Sequence, residues 1–250
     1  VGFQAGPNIT SAGENTLIGS EAGYDLTGTE SVLIGSRAGY NLAGVNGNVA
    51  IGRYALYNST AAVDCVVIGR QAMYAGSGTA LGTIAIGKNA LLNLSSGTGN
   101  LAIGYESMDA MTVGISNVAL GYGTLSAEVE GQYNTAIGYQ ALRDQNAGGS
   151  DGSNTTTANT ALGWRAGYQL TTGTNNTFLG RSAGDVVETG TNNVIIGSLS
   201  DPSANNGTNQ IVIGYNTTGT GDNSVVLGNS SVTDVYMAED SSATVHASDG

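Results

Sequence analysis

Four aromatic residues follow one another at a nearly constant spacing in the middle of the chain. They are Tyr105, Tyr122, Tyr139 and Trp164, separated by 17, 17 and 25 residues, and Arg165 comes directly after the tryptophan. If the chain coils with this period, the rings stack at coil spacing and form an exposed strip on which sugar rings can dock. The alternative is an ordinary cross-coil ladder, which stabilises a sheet or fills a seam between chains. We therefore predict a ligand-binding strip of these five residues, with a structural role as the competing hypothesis.

The same position in earlier copies of the pattern carries cations. Arg53, Arg70 and Lys88 would lie about 5 Å from one another, where like charges repel. Compensation is expected either from neighbouring carboxylates, including those of another chain, or from a bound anion or anionic glycan.

Residues that could catalyse a reaction are few. A Ser-His-Asp arrangement would need His246, the only histidine, which lies in a non-repetitive tail. Carboxylate pairs such as Glu128 with Glu130, or Glu239 with Asp240, could in principle cleave glycosides, but acidic proteins offer such pairs as solvated charges. Cys65 is the only cysteine, which excludes a disulfide framework and cysteine-rich metal sites. We expect no enzymatic activity, no metal and no cofactor.

The overall composition excludes two classes of partner. The formal net charge is −12 and the seven Lys and Arg are scattered singly, so a nucleic acid is not expected to bind. No apolar run approaches the roughly 18 residues of a membrane span, so no membrane insertion is expected in this segment. With 40 glycines and 40% apolar residues, the chain is expected to fold with a periodic backbone.

The element that positions these residues is a repeat. An Ile or Leu followed by an anchor glycine recurs along the chain, and nine of the thirteen gaps between successive anchors are 17 residues. The anchors are Gly2, Gly19, Gly35, Gly52, Gly69, Gly87, Gly104, Gly121, Gly138, Gly163, Gly180, Gly197, Gly214 and Gly228. Seventeen residues allow two strands of about four or five residues and two turns, which predicts a flattened parallel β-roll of about fourteen coils.

Both faces of the predicted strand are apolar. The residues one and three before each anchor share one face, and the residue two before it points the other way. We expect the first face to fill the coil and the second to lie outward, where another chain covers it. The outward column includes Ala102, Ala119, Ala136 and Ala161.

Asparagine recurs four positions before the anchor glycine. The best copies read NTAIGYQAL, NTALGWRAG and NTFLGRSAG, beginning at Asn134, Asn159 and Asn176. An asparagine at this place forms a side-chain turn and can stack into a hydrogen-bonded ladder.

The run Asn-Ser/Thr-Val/Ala-Ile-Gly, with a small residue three positions on, resembles the head repeat of trimeric autotransporter adhesins; similar arrays occur in bacteriophage tail fibres. The resemblance covers nearly all of residues 1–228. It implies a left-handed parallel β-roll, a homotrimer packed side by side, an extracellular, cell-surface or virion location, and attachment to a surface glycan or receptor as the function. The period of 17 is longer than that of the adhesin head unit, and we see no neck, coiled-coil stalk or membrane anchor.

Three functions are therefore considered. The first is a non-enzymatic extracellular fibre segment for adhesion or host-receptor binding. The second is a purely structural extracellular filament, and the third is a tailspike that degrades polysaccharide.

Two segments depart from the period. Residues 144–158 fill the single gap of 25 and are almost entirely small and polar, which predicts a loop insertion in a β-roll of residues 1–228. Residues 229–250 are predicted to form a terminal cap or junction, with short strands at 231–237 and 243–245, because the last coil of a solenoid exposes an unpaired edge.

Overall fold

The computed structural model describes residues 1–9, 13–76, 78–146 and 155–236. These residues form strands and turns without a helix. The strands are β1 Thr16–Ile18, β2 Val32–Ile34, β3 Val49–Ile51, β4 Ala61–Val63, β5 Val66–Ile68, β6 Thr79–Leu81, β7 Ile84–Ile86, β8 Leu101–Ile103, β9 Val118–Leu120, β10 Gly131–Gln132, β11 Thr135–Ile137, β12 Thr155–Thr156, β13 Thr160–Leu162, β14 Thr177–Leu179, β15 Val194–Ile196, β16 Ile211–Ile213 and β17 Val225–Leu227.

Thirteen of these strands form one parallel sheet. Its order is β1-β2-β3-β5-β7-β8-β9-β11-β13-β14-β15-β16-β17, and β4-β6 and β10-β12 form two small side sheets. Each strand pairs in register with the same three repeat positions of the next, as Thr135, Ala136 and Ile137 do with Thr160, Ala161 and Leu162. The chain is thus an all-β parallel solenoid of about twelve turns with a spacing of about 17 residues, as the repeat predicted.

Each regular coil contains one strand of three residues, so the expectation of two longer strands per coil is wrong. The remainder of a coil is a chain of turns, because residues after the anchor take positive φ angles. In one coil Gly138, Gln140 and Leu142 have φ angles of 136°, 54° and 49°. The turns are nevertheless bonded to both neighbours: Gln140 N donates to Tyr122 O at 2.9 Å, and Leu142 N donates to Ala166 O at 3.0 Å.

The anchor glycines are required by close approach of successive coils. A Cβ added at Gly138 would lie 2.6 Å from the carbonyl carbon of Gly163. The angle of 136° is also one that side chains disfavour. This confirms the reason predicted for glycine at the anchor.

The buried and outward faces of the strand are the reverse of the sequence prediction. Ala102, Ala119, Ala136 and Ala161 are fully buried inside their own coils. The residues one and three before the anchor point outward instead, and Leu162 beside Ala161 is 47% exposed. The physical reason is the width of the coil, which accepts alanine or valine opposite a leucine but not two rows of isoleucine.

The interior is filled by complementary volumes at two repeat positions. Coils with a small residue two before the anchor carry a large one four after it, as Ala136 and Leu142 do, and both are fully buried. Coils with a large residue before the anchor carry glycine instead: an added Cβ at Gly39 would lie 2.8 Å from Leu33 Cδ1. Each coil therefore holds about one large side chain between its strand and its turn.

A ladder of buried asparagines runs along this interior, as predicted. Asn117 Nδ2 donates to Asn100 Oδ1 at 3.2 Å and to Gly131 O at 2.8 Å. Asn134 repeats the contact, its Nδ2 donating to Asn117 Oδ1 at 3.1 Å. Cys65 takes the asparagine position in one coil, where burial raises the pKa of its thiol.

The insertion is narrower than predicted. Asn146 N donates to Thr171 O at 2.9 Å, and β12 pairs with β10, so both flanks belong to stacked coils. Residues 147–154 lie outside the described part. At the end of the array, residues 231–236 contain no strand, contrary to the prediction for 231–237; residues 237–250, including the second predicted strand, lie outside the described residues.

Candidate functional site

The solenoid brings the predicted strip together as a continuous stack of rings. Ring centroids lie 5.0 Å apart between Tyr105 and Tyr122, 5.3 Å between Tyr122 and Tyr139, and 6.4 Å between Tyr139 and Trp164. The planes differ by 9°, 17° and 9°. Tyr122, Tyr139 and Trp164 are 42–47% exposed. We call Tyr105, Tyr122, Tyr139 and Trp164 the aromatic strip.

The rings of the aromatic strip face one another. A parallel stack at this spacing places ring faces against the neighbouring rings, so solvent meets mainly ring edges, phenol hydroxyls and the indole N–H. Both ends of the stack are covered by cations: Lys88 Nζ lies 4.9 Å from the centroid of Tyr105, and Arg165 Cζ lies 4.7 Å from that of Trp164. The strip therefore offers hydrogen-bonding edges more than open faces for sugar stacking.

Arg165 is held in place by several contacts. Its Nε donates to Gln140 Oε1 at 3.1 Å, and its Cζ lies 4.6 Å from the centroid of Tyr168 as well as over Trp164. These contacts fix the guanidinium beside the tryptophan, where it remains partly exposed.

The cations that precede the strip have tyrosine neighbours. Arg53 Nη2 donates to the hydroxyl of Tyr54 at 3.2 Å, and Lys88 Nζ donates to that of Tyr105 at 3.4 Å. Within the described residues the ion pairs are Arg37 with Glu21 and Arg143 with Asp144, and neither involves Arg53, Arg70 or Lys88. The carboxylate compensation considered from the sequence is thus absent from the described residues of this chain.

A second set of tyrosines stacks five residues after the anchor. Tyr24, Tyr40, Tyr57 and Tyr74 lie 4.9, 5.2 and 5.1 Å apart in turn, and the ring of Tyr54 meets two of them edge-on. Burial, followed by the charge of Glu21, raises the pKa of the Tyr40 phenol. The stack packs the turn side of the first coils.

The carboxylate pair considered for glycoside cleavage is not a solvated pair. Glu128 is fully buried. Its Oε1 accepts from the backbone N–H groups of Glu130 and Gly131 at 3.2 and 2.7 Å, and its Oε2 accepts from Gln145 Nε2 at 2.7 Å. Glu128 thus replaces the apolar residue that other coils bury at this position and stabilises a turn. His246, Glu239 and Asp240 lie outside the described residues.

Two aspartates have strongly altered protonation. Burial raises the pKa of Asp109 to about 6, with a smaller contribution from the charge of Glu106. Burial likewise raises the pKa of Asp201 to about 6, and the charge of Asp185 adds to it. The two lie in coils far apart in the array, so they do not form a carboxylate pair.

The described residues contain no group of three or more His, Cys, Asp and Glu side chains placed to hold a metal ion. The same part of the chain includes no helix that could cross a membrane.

Sequence analysis missed two features of this surface. Arg181 follows its anchor glycine as Trp164 does, so it extends the same column by one coil, and the repeat alone could have shown this. The outward residues of the thirteen-stranded sheet form an outer face of 26 positions, 22 of them aliphatic and four threonine, with no charged residue. The inverted assignment of strand faces concealed that surface.

Comparisons with protein-family models, with curated proteins and with solved structures found no match to this chain.

Proposed function

We propose that the chain is a non-enzymatic segment of an extracellular fibre, in which three copies of a left-handed roll pack side by side and bind a surface glycan or receptor. The observation that carries this proposal is the outer face. It is apolar along the whole array and uncovered in the single chain, with Leu120, Leu162 and Leu179 each 42–47% exposed.

The size of the outer face favours assembly. Thirteen strands at about 4.8 Å and three residues of about 3.3 Å give a surface about 60 Å long and 10 Å wide. Apolar patches of this extent on soluble proteins mark sites of association. Another copy is the occupant that fits best, because its aliphatic rows repeat with the same coil spacing along the same length. The number three comes from the resemblance to adhesin heads.

The aromatic strip is proposed as the ligand-binding surface, together with Arg165. It lies just beyond the anchor glycine, at the rim of the outer face. The same column carries Arg53, Arg70 and Lys88, and burying unpaired cations in an apolar seam would be strongly unfavourable. These charges favour an arrangement in which the column stays open to solvent.

Two measurements test the proposal separately. Light scattering or sedimentation at micromolar concentration should give three times the chain mass, and a monomer would contradict the assembly. Trp164→Ala should weaken binding to cells or glycans while the melting temperature stays unchanged. A large fall in melting temperature, or loss of the trimer, would make the strip structural.

The other two functions remain outcomes of the same tests. Rods that join end to end without binding any glycan would favour the structural filament. Cleavage of a bound polysaccharide would favour the tailspike.

A further inference from the structure

The column directly after the anchor glycine contains only hydrogen-bond donors over eight successive coils. It begins with three cations, continues through the aromatic strip and ends with a cation; we call it the donor row. Its members are Arg53, Arg70, Lys88, Tyr105, Tyr122, Tyr139, Trp164 and Arg181. Arg, Lys and Trp side chains donate and cannot accept, while a tyrosine hydroxyl can do both.

Backbone hydrogen bonds keep the donor row in register. The carbonyl of each member accepts a bond from the coil that follows, as Arg53 O does from Gln71 N at 3.0 Å and Trp164 O does from Ser182 N at 2.8 Å. The backbone acceptors of the row are thereby occupied, and its side chains are what it presents to a ligand. Seven steps of about 4.8 Å make the row about 34 Å long.

The charge around the row is opposite to that of the protein. Residues 31–105 contain four cations and one carboxylate, in a chain whose net charge is −12. One of those cations, Arg37, is paired with Glu21. The carboxylate, Asp64, lies beyond the far end of strand β5 from Arg70, about 20 Å away along extended backbone. The cationic half of the row is therefore a local positive surface.

None of the donor row is buried. Arg53, Arg70, Tyr122, Trp164 and Arg181 are exposed, and the remaining members are partly exposed. A linear ligand could thus contact every member from one side.

We infer that the donor row binds an extended anionic polysaccharide, one that carries carboxylate or sulfate groups, along the length of the rod. The cations pair with its acidic groups, and the tyrosine hydroxyls and indole N–H donate to its oxygens. This inference rests on the proposed function, since the row must stay open in the assembled fibre, and it specifies the charge of the glycan.

A nucleic acid fits the row less well. Single-stranded nucleic acids gain much of their affinity by stacking bases on aromatic faces, whereas these faces are covered by one another and by Lys88 and Arg165. A phosphate on every nucleotide would also meet the repulsion of a chain with a net charge of −12.

Binding of the intact chain to immobilised polysaccharides tests the inference. The probes are polygalacturonate and a sulfated dextran, each compared with a neutral match: carboxyl-reduced polygalacturonate and plain dextran. We expect both anionic polymers to bind at least tenfold more tightly than their neutral matches at 50 mM salt, and this preference to fall at 200 mM salt.

The variant that tests the site replaces Arg53, Arg70 and Lys88 with glutamine. It should lose at least tenfold in affinity for the anionic polymers, because charge-assisted hydrogen bonds are removed. The control, Arg37→Gln with Arg143→Gln, removes cations outside the row that pair with carboxylates, and should change affinity less than twofold. Melting curves of all variants check that the rod is intact.

Three results would overturn the inference: equal affinity for charged and neutral polymers, an equal loss in the control variant, or tighter binding of single-stranded DNA. Binding of neutral glycan that depends on Trp164 would overturn it while leaving the proposed adhesive function in place.

Discussion

Ala136 and Ile137 are neighbours on strand β11, yet the first is fully buried inside its own coil and the second lies on the outer face. The two side chains therefore report on different events. Ala136 contributes to folding of the single rod, whereas Ile137 belongs to the surface that we propose is covered by other copies.

Substituting these two residues by aspartate should separate folding from assembly. Ala136→Asp places a charge in the dry interior, and we expect the chain not to fold. Ile137→Asp should leave the far-ultraviolet circular dichroism spectrum unchanged but shift the mass from trimer to monomer in light scattering. Thr172→Asp, at an exposed turn position, is the control and should do neither. A trimer that survives Ile137→Asp would remove the outer face from the proposed interface.

The asparagine ladder should contribute strongly to stability. Asn117→Ala removes bonds to Asn100 Oδ1 and Gly131 O, and leaves the backbone and side-chain N–H groups of Asn134 without their acceptor. We expect a loss of about 2–4 kcal/mol, which corresponds to a fall of roughly 5–10 °C in melting temperature. Asn205→Ala, at an exposed turn, should change melting by less than 2 °C on the same scale. Similar losses in both variants would contradict a specific role of the ladder.

Gly184 and Gly44 offer a matched pair for the interior. Both have positive φ angles, 64° and 69°, but an added Cβ at Gly184 would collide with the ring of Phe178, whereas at Gly44 it meets no atom within 4 Å. Gly44→Ala should therefore cost about 1 kcal/mol from backbone strain alone. Gly184→Ala should cost about 3 kcal/mol, because overpacking is added. Chemical denaturation of both variants measures the difference, and equal losses would mean that the ring of Phe178 moves aside freely.

Asp109 and Asp201 should make the protein more stable at mildly acidic pH. Burial raises the pKa of each to about 6, above the ordinary value near 4, so the folded chain holds more protons than the unfolded chain between these values. Their contribution is therefore most favourable below about pH 4 and is lost as the pH rises through 6.

Removing these charges should show this at neutral pH. Asp109→Asn and Asp201→Asn should each stabilise the chain at pH 7 by about 1 kcal/mol, a value reduced because both carboxylates are partly exposed, and should have little effect at pH 4. Glu188→Gln removes an exposed charge and serves as the control. The measurement is the unfolding free energy at pH 4 and pH 7; a gain of the same size at both values would contradict the assigned protonation.

The insertion should be dispensable. Deleting residues 147–154 joins Asn146 to Thr155 and restores the spacing of 17 between Gly138 and Gly163. Because both flanks are already bonded to neighbouring coils, we expect the deletion variant to keep its circular dichroism spectrum and cooperative melting. Deleting residues 112–119 from a regular coil should abolish folding, since it removes the strand residues Val118 and Ala119. Loss of folding in the first variant would show that the insertion is part of the core.

The sequence by itself determined the period, the parallel stacking and the residues that meet between coils. In a solenoid each position contacts its equivalent about 17 residues away, so the aromatic stack from Tyr105 to Trp164 and the asparagine ladder followed from counting. The anchor glycines followed in the same way, because the backbones of successive coils approach closely there.

Only the tertiary structure decided what points inward. Strand residues such as Ala136 and Ile137 are apolar on both faces, and hydrophobicity cannot distinguish two apolar faces. The choice is set by volume: the coil is wide enough for Ala136 opposite Leu142, and the turn that brings Leu142 there depends on positive φ angles that no apolar pattern reveals. The same holds for Glu128, which the sequence presented as a solvated charge and the coil encloses within a turn of its own backbone.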